Sequence, residues 1–517
     1  MNTVPRQLDD VGVRTGVLRR GRNLFFIFLA LSLLGALAVL YSEASLSILA
    51  IAAVLALTRW AVRLMRRNSL QLWQGLLIFT LTCDLILNYG FDNLAVHVGS
   101  FPFVVSYALR YTCLALALYM NRNLLASALK EPVMVCILIL VFLSFLHFIV
   151  DVPTFGVWAI RDATLFLDGV FFLLGFFWAA ADTNLRVWLR WMIAVFVINL
   201  LYAYTFPWSE KVLNASPTSG VFMEVPIFGH YHSTPMVLVM GAVFCMGLAQ
   251  FLIKKYRWIL QGLVALQVLG LAIVQSRATY IALAACLVVF VLLREGRKAL
   301  TLLTLASLAV VGIFVLGAFG IELSGRVGPV NVAFLEDHLR SIVGVKVTNA
   351  STVESRVDLV NDVMKHIRAH PIVGEGFGQP LVDYVDDETG AAVRVPHNSS
   401  LTIMARLGSV GFMVWLAFNG CLMARFIYAY RHWRSWDALF REFALWSFLY
   451  YLTFIIVSLV EGPLEQPAIA VPFYFSVGLT VGVIRLRMVE DRRGTPAVTD
   501  YAVRLLNLQS ASRQPVR

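Results

Sequence analysis

Residues 132–150 read PVMVCILILVFLSFLHFIV, nineteen positions without an acid, a lysine or an arginine. At a rise of about 1.5 Å per residue this run nearly matches the roughly 30 Å hydrocarbon core of a bilayer, and about 18 or more apolar residues in a row mark a membrane-crossing helix. Outward from it, comparable runs lie near 24–41, 45–62, 70–88, 101–119, 163–181, 191–208, 234–253, 258–275, 278–293, 299–320, 401–424, 443–460 and 468–484. About fourteen transmembrane helices in 517 residues predict an all-α, polytopic integral membrane bundle. The composition agrees, with 59% hydrophobic and 14% charged residues, where soluble domains hold about 45–50% and about 25%. Little length remains for a large soluble domain.

The net charge of +11 would suggest nucleic-acid binding in a soluble protein, so its location decides what it means. With the N-terminus cytoplasmic, 30 of the 42 Lys and Arg fall in inner segments, and the short outer segments hold only Arg161, Lys211 and Arg277. That asymmetry is the positive-inside pattern, and it excludes a nucleic-acid partner as the reason for the charge. The expected division is a cytoplasmic tail 1–23, transmembrane helices 1–11 over 24–320, one large extracytoplasmic loop 321–400, helices 12–14 over 401–484, and a cytoplasmic tail 485–517. The six cysteines lie in apolar stretches without CxxC spacing and read as buried free thiols.

A structureless 80-residue loop is uncommon, and this one carries signals. Ser351-Thr352-Val353-Glu354 reads as a capping box, Val357, Val360, Met364 and Ile367 follow at helical spacing, and His370-Pro371 ends the helix. Val360, Val363, Met364 and Ile367 should lie on the membrane surface or the tops of the spans, with Arg356, Lys365 and Arg368 nearer water. Gly374-Glu375-Gly376-Phe377-Gly378 follows, and its glycines permit tight turns and close approach to a ligand. His397-Asn398-Ser399-Ser400 stands just before the next span. Arg277 sits in Gln275-Ser276-Arg277-Ala278, a turn tight enough to make the flanking spans a hairpin, where a guanidinium fork can meet a phosphate. Asp84, Arg110, Asp168 and Arg406 fall inside spans and should face the bundle interior, Arg110 paired with Asp168 or Asp84 or serving a substrate. Glu461 and Glu465 add carboxylates to the outer face. No cluster there has convincing metal-ligand spacing; His230 and His232 fit an acceptor groove or an interfacial position better than a metal.

Three of these pieces, in this order, resemble the O-antigen ligase and polymerase family of bacterial membrane glycosyltransferases. They are the Ser276-Arg277 turn; the run from Ser355-Arg356 through His370-Pro371 to Gly374-Glu375-Gly376-Phe377-Gly378; and His397-Asn398-Ser399 leading into Leu407-Gly408-Ser409-Val410-Gly411. The chain departs from the family pattern in having Ala278 where Gly is usual, and Val357-Asp358-Leu359 where an aromatic commonly follows the loop arginine. The resemblance implies a GT-C-like helical enzyme of the bacterial inner membrane, both termini cytoplasmic. It would work metal-independently and without a cofactor at the periplasmic face. The donor is an undecaprenyl-diphosphate-linked oligosaccharide. The acceptor is a glycan or lipid A-core, membrane lipids surround the site, and a chain-length regulator protein is a further partner. Residue by residue, it implies His397 as the base, Glu375 as its alternative, and Arg277 and Arg356 on the leaving diphosphate. Arg406, Arg161, Arg368 and His232 would bind diphosphate or glycan.

Two other readings compete. A lipid-linked oligosaccharide flippase would show inverted repeats and interrupted helices near the midplane, whereas these spans read as mostly uninterrupted. A protein O-oligosaccharyltransferase would share the chemistry and differ in its acceptor. Polymerase and ligase are not separable from the residues, although fourteen spans lean toward the polymerase.

Overall fold

The computed structural model describes residues 70–87, 89–98, 101–179, 182–214, 218–219, 225–226, 234–252, 257–320, 323–326, 328–331, 336, 351–382, 384–385 and 392–493. The expected spans 24–41 and 45–62, the N-terminal tail and the chain beyond Arg493 lie outside them. Contacts divide the chain into one unit of residues 1–120 with 213–229 and another of 121–212 with 230–517.

In the first unit, α1 (Leu72–Leu87) and the short α2 (Tyr89–Asn93) precede a hairpin of β1 (Ala95–Val98) and β2 (Phe101–Val104), then α3 (Val105–Met120). A second small hairpin joins β3 (Thr218–Ser219) to β4 (Val225–Pro226). The span expected from residue 101 thus begins as a strand, because 101–104 pair with 95–98 before the helix starts. Arg110, 1% exposed, lies 2.5 Å from Asp84 and 2.7 Å from Asp92. Asp84 is one of the two partners expected for it, and a guanidinium this deeply buried requires such compensation.

The second unit runs α4 (Arg122–Ala128), α5 (Pro132–Phe155), α6 (Val157–Leu167), a 3-10 turn (Asp168–Phe171), α7 (Phe172–Trp178) and α8 (Asp182–Asn214), whose last two residues count with the first unit. It continues with α9 (Thr234–Met246), α10 (Ala249–Leu252), α11 (Arg257–Val274), α12 (Arg277–Leu292), α13 (Gly296–Ala318) and the hairpin β5 (Leu323–Ser324) with β6 (Pro329–Val330). Then come α14 (Ser351–Ala369), the hairpin β7 (Tyr384–Val385) with β8 (Ala392–Val393), α15 (Ser399–His432), α16 (Ala438–Ser458) and α17 (Pro467–Arg493). Among the described residues six helices are long and apolar enough to cross a membrane, with five shorter apolar ones beside them. This is a predominantly helical membrane protein. All six cysteines are free, Cys421 half-buried and the others buried.

Two spans that read as uninterrupted are not. The stretch 163–181 is divided by the 3-10 turn, and α15 is broken at Gly408, whose φ is 63° and ψ −166°. Beyond the first break, Gly175 and Gly478 bring the α7 and α17 backbones together, since a Cβ on either would strike the other helix's carbonyl oxygens. In α14 the helix bounds match the sequence reading, but the buried stripe is Leu359, Val363 and Ile367, packed on Leu381, Val382 and Ala405. Of the residues expected inward, Val363 and Ile367 are buried, whereas Val360 is 36% exposed. Both stripes have helical spacing, and the one carrying the leucine faces Ala405 of α15.

Charged side chains fix one end of this unit. Glu131, the N-cap of α5, meets Arg425 of α15 at 2.5 Å and also binds Arg485 of α17. Lys298 meets Glu442 at 2.7 Å, and Arg487 meets Asp437 at 3.0 Å. The opposite end gathers the residue 371–378 loop, the start of α15 and the α16–α17 connection, where the Asn398 amide donates to Leu459 O at 2.9 Å. Arg277 lies at that end as well. The Cys286 thiol faces Thr453 at 3.8 Å and Lys298, past the far end of α12, reaches the start of α16, so α12 and α16 run antiparallel.

Candidate functional site

Gly408 opens a gap in the backbone hydrogen bonding of α15, and the loop after α14 fills it. Glu375 N donates to Ala405 O at 2.8 Å and Gly376 N to Arg406 O at 3.1 Å; Ser409 N donates to Pro371 O at 2.8 Å and Val410 N to Ile372 O at 3.2 Å. Buried amides and carbonyls that the helix gives up are thereby paired. Only glycine fits at 408, because its φ is positive and a Cβ would collide with the Ile372 carbonyl oxygen. Gly376, φ 86°, is equally constrained by the Asp151 carboxylate.

Side chains from three helices pin the same loop. Asp151, near the end of α5, accepts from Phe377 N at 2.7 Å, and His147 Nε2 lies 2.9 Å from Val373 O. Asp162 of α6 accepts from Gly378 N at 3.0 Å and from Arg406 Nη2 at 2.8 Å, while Arg406 Nη1 donates to Gly376 O at 3.0 Å. Arg406 is 1% exposed and has both terminal nitrogens engaged. Arg394 donates to Gly378 O at 2.6 Å and lies with its Cζ 4.1 Å from the centre of the Trp158 ring, which Arg161 approaches at 5.4 Å. Thr402 donates to Glu465 Oε1 at 2.6 Å.

The electrostatics follow from this crowding. Burial raises the Glu465 carboxyl to about 7, with Asp162 adding to the rise while Thr402, Arg161 and Arg406 oppose it. Burial also lowers Arg394 from its ordinary value; Asp162 opposes this, and the like charges of Arg161 and Arg406 reinforce it.

The structure brings Arg161, Arg406 and Glu375 into this neighbourhood. Glu375 is held by its backbone in the α15 break, and its Oε2 lies 2.5 Å from His366 Nδ1. Arg368 is exposed on the last turn of α14. His397 is exposed, with φ 50°, just before Asn398, which caps α15 by accepting from Leu401 N at 3.1 Å. Arg277 is half-buried at the first position of α12, after a turn of only Gln275 and Ser276; the turn is as tight as expected, but α11 packs on α9 and α13 rather than on α12, so the flanking helices are not the hairpin that the reading expected. There Gln275 Nε2 donates to Gly328 O at 3.0 Å and Gly328 N donates back to Oε1 at 3.1 Å, fastening the β5–β6 hairpin to the turn. The Arg356 backbone belongs to α14, but its side chain, like the capping box and His230 and His232, lies outside the described residues.

Sequence reasoning missed Asp151, Asp162, His147, His366, Arg394 and Thr402. Asp151 and Asp162 were open to discovery, since an ionisable residue at the end of an apolar run is costly unless it is used. Among the described residues no group of three or more His, Cys, Asp or Glu is placed to hold a metal ion.

The fold and the site together define a helical membrane protein with a glycine loop locked into a broken helix beside three arginines. Residues 262–416 match the family described as O-Antigen ligase, and over that segment the chain is similar to that family. The matched segment includes Arg277, the loop, Arg406 and the break. A comparison with curated proteins returns no match.

Proposed function

We propose that this chain is a glycosyltransferase of cell-surface polysaccharide synthesis, transferring glycan from an undecaprenyl-diphosphate-linked donor to a sugar hydroxyl at the periplasmic face of the bacterial inner membrane. The observation that carries this reading is the convergence of the family's motif segments. The loop after His370-Pro371 seats in the Leu407-Gly408 break, and His397-Asn398 begins the same helix. In the reaction the bond from the anomeric carbon to the diphosphate oxygen breaks and the acceptor oxygen bonds to that carbon. Arg277 and Arg356 stabilise the charge growing on the departing diphosphate. His397, exposed at the helix start, takes the acceptor's proton. Glu375 acts through His366 rather than as the base, and Arg406 acts by holding the loop.

The break at Gly408 removes one argument against a transporter, since interrupted helices are common there. Here, however, the chain's own loop fills the gap. The test is to give the purified protein a lipid-diphosphate-linked repeat unit. A ladder of longer lipid-linked products identifies a polymerase, and product only after lipid A-core is added identifies a ligase. His397→Ala abolishes product at unchanged protein level. Intact substrates with no product in either case overturn the proposal.

A further inference from the structure

Arg394 is built as a receptor and is only partly used. Its guanidinium is held from three directions, by the Trp158 ring at 4.1 Å, by Gly378 O at 2.6 Å, and by Asp162, whose 3.9 Å separation is too long for a hydrogen bond. Its side chain is 14% exposed, and its Nε is buried with no hydrogen-bond partner among the described residues. A guanidinium carries five N–H donors, and leaving them unpaired in a shielded place is costly.

The neighbours cannot relieve it. The Asp162 oxygen nearest Arg394, Oδ2, already accepts from Arg406 and from Gly378 N. Glu465 is engaged by Thr402, and Glu375 by His366. Arg161 adds another positive charge over the same ring. Because guanidinium groups approach it, Trp158 orients the Arg394 fork instead of offering that ring to a sugar.

We infer that Arg394, oriented by Trp158 and Asp162 as positioning residues, forms an anion-binding site that takes a phosphate or carboxylate carried by the glycan substrate. The inference rests on the glycan reading above and concerns residues that the motif match does not single out. The anionic group has two sources, the donor's diphosphate or an acidic sugar of the glycan.

The experiment measures binding of undecaprenyl diphosphate, of glucuronate and of neutral glucose to the full-length protein in lipid nanodiscs. Arg394→Gln weakens one of the two anionic probes by about tenfold or more, the loss of a charge-assisted bond worth about 1.5–3 kcal/mol. Arg394→Lys, which keeps the charge without the fork, falls between it and the wild type, and Trp158→Leu weakens the same probe while leaving glucose unchanged. Loss confined to undecaprenyl diphosphate assigns the site to the donor, and loss confined to glucuronate assigns it to an acidic sugar. If Arg394→Gln does not fold, Arg394→Lys and Trp158→Leu decide in its place. Wild-type affinities for both anions in these variants, or no binding of either anion by the wild type, overturn the inference. Product formation by the wild type alongside unaltered binding in the variants removes this site and leaves the glycosyltransferase reading standing. Arg394-dependent binding without any glycosyl transfer does the reverse.

Discussion

The two ends of the larger unit use charge differently. At one end, Glu131, Arg425 and Arg485, Lys298 and Glu442, and Arg487 and Asp437 join helix to helix, side chain to side chain. At the other, Asp151, Asp162, Arg394 and Arg406 spend their hydrogen bonds largely on the backbone of residues 376–378. The first arrangement fixes the spacing of regular elements. The second gives an irregular segment a single conformation, as a binding surface made of backbone requires.

The contrast can be broken most severely at Gly408. Gly408→Ala forces a Cβ onto the Ile372 carbonyl at a positive φ, and a loss on the order of 4 kcal/mol is expected from strain and overpacking together. The check is the yield of folded protein in detergent and its melting temperature. A near-normal melt would mean that the loop does not occupy the break. Comparable in size, Asp162→Asn and Glu131→Gln each leave buried or half-buried arginines without their carboxylate, at about 3–5 kcal/mol. The two should part in glycan synthesis per folded molecule, which collapses in Asp162→Asn and holds in Glu131→Gln. Parallel losses would erase the distinction between the ends.

The smallest effect is a pH dependence. Glu465 binds its proton more tightly folded, at about 7 against an ordinary 4.5. Its contribution is therefore complete below about 4.5 and declines as pH rises toward 7, because the native state holds more protons in that window. The decline amounts to at most about 3 kcal/mol, given about 1.4 kcal/mol per unit. Glu465→Gln should flatten that slope in denaturation curves measured between pH 4.5 and 7; an unchanged slope would remove Glu465 from the charged cluster.

Features governed by neighbours along the chain are legible in the residues themselves. The α14 bounds follow from Ser351 and His370-Pro371, and the two-residue turn from Gln275-Ser276 lying between two apolar runs. What escapes such a reading is pairing at long range. Asp162 meets Gly378 across 216 positions and Arg406 across 244, and no local pattern carries that information. Leu359 and Val360 show the same limit in one helix, since spacing permits either stripe and only the presence of Ala405 selects between them. The loop and α15 glycines could be marked as turns, yet that they serve one joint is a fact about two segments meeting.

The break also sets a depth. From Ser409 to Ala424, the residue before Arg425 joins the charged end, the helix has 16 residues, about 24 Å at about 1.5 Å each and short of a hydrocarbon core of about 30 Å. The turns before Gly408 are therefore needed to complete a crossing, and the seam falls beneath the outer rim of the bundle. Irregular backbone is tolerable at that depth only where protein covers it, and the loop that pairs with the seam supplies that cover.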